Sequence, residues 1–261
     1  MLKGIIVSLV IAGIIAYIFL QWKRKKNKLA AYQLPPGTKL LLYHYVPFYR
    51  ELNEADKNKF EERMRDFLSR TKITGVGDVV VYEVDQVFIA ASAIIPLFGY
   101  PKWRYNNLNE ILLYPDTFNR QYDADGPGRD VLGLVGEGVM HRQMILSQPA
   151  VRAGFLYPDN AHNTAIHEFV HLIDKADGAI DGVPQYLMNK DDAQPWKSYM
   201  RTYIRAIKEG YTDINPYGAT SEAEFFAVVS EYYFKQPLVF KEQYPEMYDM
   251  LQKMYSPKIA A

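Results

Sequence analysis

Residues 163–175 read Asn-Thr-Ala-Ile-His-Glu-Phe-Val-His-Leu-Ile-Asp-Lys. His167 and His171 stand four apart, which on a helix puts both imidazoles on one face, one turn apart. Ile166, Phe169, Val170, Leu172 and Ile173 surround them. That spacing predicts a helix buried everywhere except along the face that carries the histidines. Asn163 offers a side-chain acceptor to the first turn. Two imidazoles so placed can share one tetrahedral metal ion, and Glu168 then faces the ion's open side, where it can take a proton from water. The plainer reading is a pair of packed imidazoles with an unrelated acid between them. A chance match to His-Glu-x-x-His arises on the order of once in a hundred chains of this size or less. The match here also falls on an amphipathic helix, so the metal reading is preferred.

Composition narrows the ion and its setting. The chain has no Cys, which excludes disulfides, a thiolate nucleophile, Cys-ligated zinc and iron–sulfur clusters. Any metal must be held by His, Asp and Glu. Thirty Lys and Arg balance thirty Asp and Glu, which argues against a nucleic-acid partner gripped by a broad basic face. A hydrophobic content of 49% excludes a disordered chain. Of the five His, His162 precedes the predicted helix and reads as a loop residue near the site. His141, in a predicted strand, and His44, in an aromatic stretch, read as structural.

Two imidazoles and a water leave one protein ligand to find. Asp174 is on the same helix, roughly 7–8 Å too far along its axis, and is better read as an outer partner or a surface acid. Asp177 gives a His-Glu-x-x-His-(x)5-Asp spacing like that of metzincins, but those have Gly where Asp174 stands, to turn the chain. Glu224 lies among Phe225, Phe226, Val228 and Val229 on a later predicted helix, where an unpaired carboxylate is costly. Glu224 is therefore favoured over Asp177. Glu231, two turns on, is placed to hydrogen-bond a ligand from outside.

Further out, the chain divides into three parts. Residues 4–20 (GIIVSLVIAGIIAYIFL) are uncharged and almost wholly apolar, and seventeen helical residues span roughly 26 Å. Lys23, Arg24, Lys25, Lys26 and Lys28 follow, and Trp22 and Tyr17 sit at that end. A cleaved leader has the reverse polarity. Residues 1–26 are therefore expected to be one transmembrane anchor with its basic flank, N-terminus outside, leaving the rest cytoplasmic. Residues 27–38 form a linker, and residues 39–261 one metal-bearing domain. Within it helices are expected at 53–70, 86–97, 163–175, 196–208, 221–235 and 241–254, with strands at 79–82, 110–114 and 139–146. Residues 122–130 read as a loop. The fold class is α+β, strands mostly early and helices mostly late.

The segments AHNTAIHEFVHLIDKADGAIDGVP, INPYGATSEAEFFAVVSEYYF and IAASAIIPLFGYPKWRYNNLNEILLYPDTF together resemble the Mlc titration factor A family of zinc-dependent peptidases. The resemblance covers most of residues 53–240. It implies a gluzincin-like, zincin-type metallopeptidase domain with one zinc ion per chain. It further implies His167, His171 and Glu224 as ligands and Glu168 as general base. Tyr217, in the Asn-Pro-Tyr segment, is implied to stand near the metal and stabilise an oxyanion. Enterobacterial members are soluble and act on or bind a cytoplasmic repressor, whereas this chain carries the apolar N-terminal run. The expected reaction is peptide hydrolysis, with a substrate strand paired along residues 140–146. The rival expectation is a tethered module that sequesters a transcriptional regulator and uses zinc only structurally.

Overall fold

The computed structural model describes residues 10–21, 23, 32–124, 128–136, 140 and 142–256. Two compact units emerge, Met1–Leu34 and Pro35–Ala261. In the first, residues 10–21 are helical. Among the described residues no helix is long and apolar enough to cross a membrane. Residues 4–9 of the apolar run, Trp22, the basic residues 24–28 and His141 lie outside the described residues.

The second unit is α+β. Its elements run α1 (Thr38–Tyr45), α2 (Pro47–Arg50), α3 (Glu54–Arg70), β1 (Lys72–Gly75), α4 (Glu83–Ile94), β2 (Glu110–Tyr114), β3 (Gly133–Val135) and β4 (Gln143–Ser147). Then come α5 (Gln148–Leu156), α6 (Thr164–Asp174), α7 (Ala193–Lys208), α8 (Glu222–Lys235), α9 (Pro237–Gln243) and α10 (Pro245–Tyr255). The sheet order is β1-β2-β4-β3, parallel except for β3, which runs antiparallel to β4.

Register sets which side chains share a face, because paired residues point the same way and neighbours alternate. Ile111 pairs with Met144 and Leu113 with Leu146, all fully buried. Gly133 pairs with Leu146 and so lies on the same face. On the opposite face Ile145 joins Tyr114 and Phe118 in a small core with Leu112 and Leu134 packed against it. Helix α6 packs against β3 and β4 on one side and α8 on the other, with α4 and α5 alongside. Ala165, Ile166, Phe169, Val170 and Ile173 of α6 and Phe225, Phe226 and Val229 of α8 are buried. The helix predicted to carry the histidines is thus central to the core.

Several expectations need correction. Residues 79–82 form no strand. The chain turns at Gly77 (φ 63°), and the strand of that region is β1, just before the turn. A β-rich run with no neighbour to pair with stays extended, and this one leads into α4, where the Asp85 side chain accepts from the Tyr82 N–H. The helix expected at 241–254 is two helices broken at Tyr244, because Pro245 disfavours helical backbone in the residue before it. The early helices expected at 53–70 and 86–97 are α3 and α4, and α1 and α2 precede them. Residues 140–146 are not a free edge either, since β4 lies between β2 and β3, and β3 is the outer strand.

Candidate metal centre

Three elements build the site. Helix α6 starts where the Asn163 side chain accepts from the Ile166 N–H at 3.0 Å, and it delivers His167, Glu168 and His171. Helix α8 starts where the Ser221 hydroxyl accepts from the Glu224 N–H at 3.1 Å, which sets Glu224 in the first turn. Between α7 and α8, the Asn215 side chain accepts from the Tyr217 N–H at 2.9 Å and folds a 3-10 turn, Pro216–Ala219, that presents Tyr217.

His167, His171 and Glu224 converge, as the sequence leads one to expect. His167 Nε2 and Glu224 Oε2 are 2.9 Å apart, His171 Nε2 and Glu224 Oε2 3.2 Å, and the two Nε2 atoms 3.0 Å. Four ligands at about 2.0–2.1 Å from a tetrahedral zinc stand roughly 3.3–3.4 Å from one another, so a slight opening of this triangle admits the ion. Donor chemistry agrees. Glu231 Oε1 lies 2.6 Å from His167 Nδ1, and Glu231 Oε2 accepts from the Asn163 N–H at 2.7 Å. With its proton on Nδ1, neutral His167 turns the Nε2 lone pair toward a second imidazole and a carboxylate. Such a cluster of lone pairs calls for a cation at its centre.

Burial pushes the His167 imidazole down, but Glu231 and Glu224 beside it prevail and hold its pKa well above the ordinary histidine value. Burial pushes Glu224 up, but its hydrogen bonds with both imidazoles hold it well below the carboxylate range. Glu168 is buried, and burial raises its carboxyl against the pull of His167 and His171. The Tyr217 hydroxyl reaches Glu224 Oε1 at 3.4 Å, and its ring lies 6.0 Å from that of His167. Burial, Glu224 and Glu168 push it up to about 12, so it stays a hydrogen-bond donor at neutral pH.

The competing acids are placed elsewhere. Asp177 accepts from the N–H groups of Ala179 and Gln185, shaping the loop after α6. Asp174 is fully buried rather than on the surface; its Oδ2 accepts from the Gly182 N–H at 2.9 Å, and its Oδ1 has no partner among the described residues. His162 stands at the edge of the site, 4.0 Å from Glu231 and within 3.3 Å of the Asn215 amide. His44 is exposed on α1. Sequence reasoning missed Asn215, and it began α8 at Ser221 without naming that residue as the cap that sets Glu224. An Asn-Pro turn and a Ser three residues before Glu are both legible as caps. It also missed Gly133, where any added Cβ would strike the Glu168 side chain and which no local pattern marks.

This chain is similar to known proteins along nearly its whole length. The uncharacterized protein slr2042 of Synechocystis is 31% identical over 270 aligned residues, covering 98% of this chain and 97% of that protein. Mlc titration factor A of Pectobacterium atrosepticum is 25% identical over 226 residues, covering 80% and 82%. The protein of that name in Yersinia pestis is 25% identical over 254 residues, covering 90% and 89%. The family model described as glucose-regulated metallo-peptidase M90 matches residues 19–256. With that match spanning the β-sheet, both histidines and Glu224, the chain belongs to the M90 metallo-peptidases, the family of Mlc titration factor A.

Proposed function

We propose that this chain is a zinc-dependent peptidase that uses water to hydrolyse peptide bonds, with one zinc ion per chain. The convergence of His167, His171 and Glu224, with Glu168 beside them on α6, carries this reading. A zinc ion held there supplies a Lewis acid and makes water acidic enough to ionise near neutral pH. Glu168 accepts the proton of the attacking water and hands it to the leaving amine. Tyr217 donates its hydroxyl proton in a hydrogen bond to the developing oxyanion. Glu231 keeps the His167 proton on Nδ1 and so keeps Nε2 free to bind. An extended peptide or protein segment pairs along the outer edge of β3. The test is metal analysis with a peptide-library digest. Glu168→Gln should retain one zinc per chain and cleave nothing that the unaltered protein cleaves. Unchanged hydrolysis would remove Glu168 as base.

The name of the relatives, Mlc titration factor A, favours a second reading, in which the domain binds a transcriptional regulator and zinc serves the fold. Glu168→Gln separates the two, because a sequestering module keeps its cellular effect without hydrolysis. We also propose that residues 4–20 form a single membrane anchor with its N-terminus outside and residues 39–261 in the cytoplasm. The uncharged run and the basic residues after it support this. Release of the protein from membranes by salt alone would overturn it.

A further inference from the structure

We infer that Gly133 is a positioning residue for Glu168: the outer strand lacks a side chain there so that the carboxylate can stand where it faces the metal ligands. The inference rests on the peptidase reading. A Cβ built on Gly133 would lie 2.6 Å from Glu168 Cγ, 2.7 Å from Oε1 and 2.9 Å from Cδ. All three of its nearest atoms belong to that one residue. Backbone freedom is not the reason for glycine, because the positive-φ glycines are Gly77, Gly128, Gly178, Gly182 and Gly210.

Neither side of this contact can retreat. Strand β3 is fixed to β4 by the pairs Gly133↔Leu146 and Leu134↔Ile145. Flanking bonds from the Ser147 N–H to the Leu132 carbonyl (2.8 Å) and from the Gly136 N–H to the Gln143 carbonyl (2.9 Å) close both ends. Helix α6 is held between the sheet and α8. An added methyl therefore has to displace the Glu168 side chain, and Cγ is too near the helix to swing clear by a change at the carboxylate alone. A reacting group moved by about 1 Å loses roughly 100-fold in rate.

The experiment uses the full-length chain with Gly133→Ala, Glu168→Ala, the double variant, and Gly133→Ala combined with Glu168→Asp. Gly133→Ala should keep one metal ion per chain and its KM, and lose about 100-fold in kcat. Glu168→Asp keeps the Cγ that the added methyl strikes, so it should restore none of that loss in the Gly133→Ala background. In metal-stripped protein, Gly133→Ala should lower the melting temperature when Glu168 is present and leave it unchanged when Glu168 is Ala. Equal drops in both backgrounds, or an unchanged kcat, would overturn the inference. If Gly133→Ala folds only together with Glu168→Ala, the inference stands; if it folds in neither background, glycine serves the backbone and the inference fails. A protein with no peptidase activity would sink the proposed function, and the melting cycle would still decide the role of Gly133.

Discussion

Glu231 is a buried carboxylate with two hydrogen bonds, one with the His167 ring and one from the backbone N–H of Asn163, which caps α6. Its replacement by Ala leaves His167 free to adopt the other tautomer, with a proton on the nitrogen that should bind. Metal affinity of Glu231→Ala should fall about 10- to 100-fold, measured by competition with a chelator, while the three ligand residues are unchanged. Asp174 has the opposite character. Its carboxyl is pushed up from 3.8 to about 6, first by burial and then by Asp181 and Asp177, against the Gly182 N–H and His171, which favour the charge. The native state thus binds this proton more tightly than the unfolded chain, so Asp174 favours folding below about pH 4 and that contribution is lost as pH rises through about 6. The gap between 3.8 and about 6 corresponds to roughly 3 kcal/mol. Urea unfolding of the metal-free protein should show stability falling across that window, and Asp174→Asn should flatten the fall by up to that amount. An identical slope in the two proteins would remove Asp174 as its source.

Caps are what turn two apolar stretches into positioned helices. The Asn163 side chain satisfies an N–H of the first turn of α6, and its own N–H is held by Glu231 on α8. Asn163→Ala should cost about 1–2 kcal/mol in a denaturation midpoint and weaken metal binding as well, since the first ligand lies one turn on. Retained affinity with reduced stability would confine Asn163 to capping. The same local logic explains which elements were legible. Helices α3, α6 and α8 carry a 3.6-residue apolar period and a side-chain cap at Asn53, Asn163 or Ser221, so both their faces and their starts follow from sequence. Strand β2 was found because Ile111, Leu112 and Leu113 precede a Pro. Strands β1 and β3 are four and three residues long with glycine in each, and only their pairing to β2 and β4 makes them strands. The β1 partners lie well beyond any local window in sequence, and β3 is too short to show an alternation of its own. The convergence of His167, His171 and Glu224 was legible for a related reason: two histidines share one helix, and Glu224 stood out as a charge among phenylalanines and valines. The contact of Gly133 with Glu168 joins a strand to a helix and left no such mark.

At the scale of the whole molecule the site is a cross-link. His167 and Glu224 are 57 residues apart in sequence and belong to helices that share the core beside the sheet. An ion bound between them favours the folded chain by mass action, because the unfolded chain holds the same groups far apart. At free metal 1,000 times its dissociation constant the gain is about 4 kcal/mol, which in a chain of this size is roughly 8–16 °C in melting temperature. Chelation should therefore lower the melting temperature of the unaltered protein by about that much. Glu224→Ala should already melt near the chelated value and hardly respond to chelator, whereas Glu168→Gln, which keeps all three ligands, should respond in full. Asp177→Ala should also respond in full, because Asp177 spends both oxygens on the backbone of its own loop. If Asp177→Ala lost the response and Glu224→Ala kept it, the ion would be held by the loop after α6, and the coupling between α6 and α8 would have to come from apolar packing alone.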